Sequence, residues 1–263
     1  MNRKFTVKDK IMEDSLEAIW DYRSLSDKYK PTITGGIATQ LYAFQFYPEL
    51  TRPTHDMDLV TVSRMNSENF RRDLGKNLAE SLEHYRPKVG VLRHVYEVHL
   101  EDEEEYPFFI HSYRWTANGW ERQKRSIERQ VANANRVVTP SAVISAYVVR
   151  PEDLVVGKLS RLNKLEEKGK IPPSFNGKYD LLKGKELATL ADEDLSAWLD
   201  ELTRQKVRLP AFYDSGKEKF RSALDEYVTS KDLFDISLIS KLAINKSIDF
   251  DEKYYNNILE RKE

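Results

Sequence analysis

Asp56 and Asp58 stand one residue apart in a run, Asp56-Met57-Asp58-Leu59-Val60, that alternates polar and apolar side chains. Alternation is the period of a half-buried strand. It turns both carboxylates to one face and sends Met57 and Leu59 into a core. Two carboxylates ~7 Å apart along a strand can converge on one or two divalent cations. Upstream lies Thr34-Gly35-Gly36-Ile37-Ala38. Paired glycines let the backbone approach a ligand closely, and a helix beginning there aims free N–H groups and its positive dipole end at that ligand. A metal beside a phosphate cradle is what nucleotidyl transfer requires.

The elements that must position these residues follow from the surrounding pattern. Residues 8–29 read as an amphipathic helix on Ile11, Leu16, Ile19, Trp20 and Tyr22, ended by Pro31. Ile33 begins a short strand into the glycines, and residues 37–47 form the helix after them. Pro48 and Pro53 bracket a loop before the Asp56 strand. Asn66 or Ser67 is expected to cap a helix running to about His84. Strands are expected over 88–92, 94–100, 108–115 and 143–149. The acidic run 101–105 reads as a solvated connection between two of them. His111 lies on one of these strands and faces either the site or its own satisfied surroundings.

Two further stretches carry charge at telling positions. Pro151-Glu152-Asp153 opens a helix with the residue types that favour a first turn. On that helix Val155, Leu159 and Leu162 form the buried stripe, with Lys158 and Arg161 along its edge. Farther on, Ser230-Lys231-Asp232-Leu233-Phe234-Asp235-Ile236 places Asp232 and Asp235 on one face with Ile236 and Ile239. Carboxylates on an apolar face need partners, because an unpaired buried charge is costly, and the expected partner is Lys158 or Arg161. The alternative is that Ser230 caps a helix whose first turn holds these acids.

Gly-Gly, then Arg52-x-Thr54-x-Asp56-x-Asp58, Pro151-Glu152-Asp153-Leu154 leading to Lys158-Leu159, and Lys231-Asp232-Leu233 with Asp235, in that order, resemble the DNA polymerase β-type nucleotidyltransferase superfamily. Within it the chain is most similar to AbiEii/AbiGii-like toxins and their MenT-type relatives. The gap between glycines and aspartates is longer than in the usual motif, so the connecting segment must be extended. The resemblance implies an α/β (α+β) fold, a polymerase β-like mixed sheet flanked by helices. A catalytic domain over 1–150 would precede a mainly helical region over 151–263.

It further implies that Asp56 and Asp58 hold Mg2+ (or Mn2+), that Gly35, Gly36, Thr34 and Arg52 bind the nucleotide, and that Lys158 contacts its phosphates. Arg161 and Asp235 would join the nucleotide-binding residues and Asp232 the catalytic ones, Asp232 or Asp235 orienting the lysine, with Asp180 a competitor for that acidic role because it lies nearer Lys158 in sequence. A third strand-borne carboxylate, common in the superfamily, has Glu97 and Glu101 as candidates. The acceptor implied is RNA, a tRNA 3′ end in MenT-like enzymes, or a protein hydroxyl as in AMPylating enzymes. An antitoxin protein is the implied partner. A catalytically silent nucleotide- or RNA-binding regulator and a plain interaction protein are the competing classes.

Composition bounds the rest. The chain has 263 residues, 40% hydrophobic and 32% charged, with a net charge of −1. Global charge therefore gives no support to nucleic-acid binding, and any such site is a local patch. Arg114, Arg122, Lys124, Arg125, Arg129 and Arg136, with Trp115 and Trp120 among them, form the one basic and aromatic stretch that suits an RNA strand. The plainer reading is a solvated helix with its tryptophans docked in the core. Cysteine is absent, which removes disulfides and thiolate chemistry. No apolar run approaches ~20 residues, and the first residues lack an apolar stretch before a cleavage site. The expectation is a cytoplasmic protein with no membrane span.

Overall fold

The computed structural model describes residues 6–20, 29–52, 54, 56–61, 64–92, 95–101, 107–113, 117–141, 144–177, 179–180, 195–200 and 217–260. They fall into two compact units that meet in sequence between Arg150 and Pro151.

The first unit is built on a seven-stranded mixed sheet. Its strands are β1 (Thr32–Thr34), β2 (Asp56–Val60), β3 (Lys88–Leu92), β4 (Val95–Glu101), β5 (Pro107–Tyr113), β6 (Asn135–Val138) and β7 (Ser145–Val148), in the spatial order β3-β4-β5-β2-β1-β7-β6. β1 runs antiparallel to β2 and parallel to β7, while β2 runs parallel to β5. Helices α1 (Lys10–Trp20), α2 (Gly35–Phe44), α3 (Arg64–Ser81) and α4 (Ala117–Ala132) accompany the sheet. α1 packs on β7, α2 on β1, β2 and β6, and α3 on β5.

Register explains the layering. Ile33 sits opposite Leu59 and Val148, and Met57 opposite Ile110. All five are buried without measurable exposure. Because side chains alternate along each strand, the residues between them share the other face: Thr34 opposite Asp58, Asp58 opposite His111, and His111 opposite Glu97. One face is core and the other carries the polar row.

Several boundaries differ from the sequence expectation. α3 starts at Arg64, so Asn66 and Ser67 lie inside its first turn rather than capping it. β6 begins at residues 135 and 136, expected at the end of the basic helix; its antiparallel pairing with the next strand, β7, takes them into the sheet. Trp120, Ile127 and Val131 form the buried side of α4, so Trp120 offers no stacking surface to RNA. Arg122, Lys124 and Arg125 are exposed, while Arg114 and Trp115 lie outside the described residues.

The second unit is helical: α5 (Pro151–Glu166), residues 195–200, α6 (Lys217–Ile244) and α7 (Glu252–Glu260). Helix α5 packs on both α6 and α7. Glu152 and Asp153, buried in the first turn of α5, accept hydrogen bonds from the Asp251 backbone N–H at 2.6 Å and the Tyr254 hydroxyl at 2.8 Å. Within 184–228 the structure describes residues 195–200 and those from 217 onward, all helical. No described helix is long and apolar enough to cross a membrane.

Candidate metal and nucleotide site

Asp58 sits at the centre of the polar row. Its neighbour across β1 is Thr34, the residue immediately before α2, and its neighbour across β5 is His111. Gly35 begins α2 at φ +73°. A Cβ built there would lie 2.5 Å from Asp58 Oδ2, so the glycine is required both by its backbone conformation and by the carboxylate seated on it. A Cβ on Gly36 would meet the Arg52 guanidinium at 2.6 Å. The long gap of the sequence is thereby explained: after α2 and the short helix Pro48–Leu50 the chain returns Arg52 to the glycine turn. Thr34 stands at the N-cap of α2 and makes no side-chain cap hydrogen bond.

Asp56 lies on the same face, two residues before Asp58. The hydroxyl of Thr54, a buried residue, donates to Asp56 Oδ1 at 2.9 Å. His111 Nδ1 is 3.5 Å from Asp58 Oδ1 and 3.7 Å from Asp56 Oδ2. One donor atom from each of the three residues falls within 4.8 Å of the others, and each side chain is partly exposed. These donors are compatible with a divalent cation.

Of the two proposed third carboxylates, Glu101 does not join this group. Glu101 instead accepts from Lys88 on the adjoining strand at 2.9 Å. Glu97 is in register with His111, but its side chain lies outside the described residues. His111, which on sequence alone faces either the site or its own surroundings, joins the two aspartates. The signal that could have found it is its parity: it alternates with Ile110, which is core.

The remaining expected residues form a second cluster within the helical unit. Lys158 Nζ donates to Asp235 Oδ2 at 2.5 Å and lies 3.7 Å from Asp232 Oδ1. Arg161 grips Asp232 through Nε and a terminal nitrogen, each at 2.5 Å. Both carboxylate side chains are fully buried and that of Lys158 is 4% exposed, whereas that of Arg161 is half exposed. Ser230 is interior to the 28-residue α6, so the idea that it caps a helix start is overturned. The acids are there to meet cations, not a helix dipole. Asp180, the competing acid, is exposed.

No family model matches the chain, and no curated protein matches it. Among solved structures it is similar to an antigenic nucleotidyltransferase-like protein from Paracoccidioides brasiliensis. The two share 18% identity over 60% of this chain and 68% of that one, with a TM-score of 0.41.

Proposed function

We propose that this protein is a metal-dependent nucleotidyltransferase that moves a nucleoside monophosphate from an NTP to an acceptor hydroxyl. The observation that carries the reading is the convergence of Asp56, Asp58 and His111 beside a glycine turn that opens a helix. A divalent cation there would supply positive charge to the phosphates during in-line displacement. Asp56 and Asp58 would hold that cation, with Thr54 fixing the rotamer of Asp56. The N–H groups at the start of α2 and the Arg52 guanidinium receive the phosphate chain. The acceptor oxygen bonds to the α-phosphorus, pyrophosphate leaves with the bridging oxygen, and the acceptor proton goes to solvent.

RNA is the acceptor class we favour, on the exposed Arg122, Lys124 and Arg125 of α4 and the exposed Arg136. The deciding experiment incubates the protein with each labelled NTP, a divalent cation and total RNA, with Asp58→Asn as control. Label in RNA that is lost in the variant supports the reading. Label in protein reassigns the acceptor. Nucleotide binding with no transfer favours a silent nucleotide-binding protein.

A further inference from the structure

We infer that His111 is a third metal ligand and that, through it, the site prefers Mn2+ over Mg2+. The inference rests on the metal site proposed above and adds its composition and selectivity. It starts from spacing. His111 Nδ1 stands 3.5 and 3.7 Å from its two carboxylate neighbours, beyond the ~2.7–3.2 Å of a good N–H···O hydrogen bond. Donors ~2.1 Å from one cation stand ~3.0 Å apart across the 90° angles of an octahedral shell. One donor atom from each of the three residues lies within 4.8 Å of the others, so a shared cation draws His111 Nδ1 about 0.5–0.7 Å closer to the carboxylates.

Placement supports the same conclusion. β2 and β5 are parallel, and their register sets Asp58 beside His111 and Asp56 beside Phe109. The Phe109 ring lies nearly parallel to the imidazole, 6.0 Å between centroids. The site is thus carried on two adjoining strands of a sheet, the kind of rigid support that holds ligands to a defined geometry.

Selectivity follows from donor chemistry. Mg2+ demands oxygen ligands in a near-octahedral shell and dehydrates reluctantly. Imidazole suits borderline transition ions, and Mn2+ accepts it while remaining an ion that carboxylates and phosphates also bind well. An Asp-Asp-His set therefore favours Mn2+, where an all-carboxylate set would not discriminate so strongly against Mg2+.

The test is direct binding to the full-length protein without nucleotide. Mn2+ is titrated by loss of the free-ion electron paramagnetic resonance signal, Mg2+ by competition, and the bound ion is probed for nitrogen hyperfine modulation. The wild-type protein should bind Mn2+ with nitrogen modulation. His111→Ala should abolish the modulation and weaken Mn2+ by more than about tenfold, with Mg2+ affinity changed far less. His111→Asp, an all-oxygen set, should keep Mn2+ binding and narrow the Mn2+/Mg2+ ratio by about tenfold or more. Bound Mn2+ without nitrogen modulation, displaced by Asp58→Asn and indifferent to His111→Ala, overturns the inference and leaves the two-aspartate site standing. No Mn2+ binding by the wild-type protein overturns both. The modulation is read on the wild-type protein, so the outcome does not depend on how well a His111 variant folds.

Discussion

Gly35→Ala perturbs the site without removing a single ligand atom. Gly35 adopts φ +73°, where a Cβ costs an L-residue roughly 1–2 kcal/mol. The added methyl would also lie 2.5 Å from Asp58 Oδ2, where ordinary contact begins at 3.4 Å. Relief by movement of Asp58 alone needs about 0.9 Å, several times the ~0.2 Å within which metal–ligand distances are held. The expected result is a stability loss of about 1–3 kcal/mol and a divalent-cation affinity lowered by at least about tenfold. Urea unfolding of Gly35→Ala, Asp58→Ala and the double variant separates the two contributions. With the carboxylate gone only the backbone cost remains, so the cycle should show coupling of about 0.5 kcal/mol or more. Equal cost of Gly35→Ala in both backgrounds, together with unchanged cation binding, would refute the claim that this glycine exists to seat Asp58.

Other perturbations read other parts of the molecule. Lys158→Met leaves the fully buried Asp235 without the ammonium 2.5 Å away and should cost about 3–5 kcal/mol in urea unfolding. A loss under about 1 kcal/mol with activity abolished would instead mark Lys158 as a substrate contact. Thr54→Val removes the 2.9 Å hydrogen bond to Asp56 and should weaken cation binding about 10- to 100-fold by calorimetry, with nucleotide-free folding intact. Burial pushes the Tyr255 hydroxyl up from 10.0 to about 12, so the folded chain keeps a proton that the unfolded chain releases. That stabilisation is fully present below pH 10 and is lost as pH rises toward 12, on the order of 2 kcal/mol. Tyr255→Phe should flatten the fall in unfolding midpoint over that window, and an unchanged slope would show that Tyr255 is not its source.

What could be read in the sequence was what is local. Alternation along 56–60 is enough to put Asp56 and Asp58 on one face, because strand geometry leaves no other choice once Met57 and Leu59 are core. The glycine pair before α2 is equally local, since its meaning lies in a backbone conformation that other residues rarely adopt. His111 was ambiguous for the opposite reason. Its place beside Asp58 depends on parallel pairing of β2 with β5, strands separated by a helix and a β-hairpin, and no pattern within either strand states that register. β6 was missed for another reason: it is only four residues long and is defined by its antiparallel pairing with the next strand, β7. At Ser230 a good capping residue lies inside a long helix, where tertiary burial of every residue from Thr229 to Leu242 except Lys231 overrides the local signal.

The two charged clusters differ in a way that bears on their roles. In the helical unit Asp232 and Asp235 are each matched by a cation at hydrogen-bonding distance, and both carboxylates and Lys158 are withdrawn from water while Arg161 stays half exposed. Such a network gains little stability over an apolar core but is costly to break, so it serves to fix how α5 meets α6. A phosphate reaching Lys158 would have to compete with Asp235 for the same ammonium. In the sheet unit the balance is reversed. Asp56, Asp58 and His111 are partly exposed, their mutual spacing is too wide for hydrogen bonds to close the group, and a glycine turn and an arginine stand beside them. Buried carboxylates gripped by cations hold a structure together, and a partly exposed set of converging donors is where an external cation can enter. On that contrast we propose the sheet residues for the chemistry and a structural role for Lys158 within the helical unit.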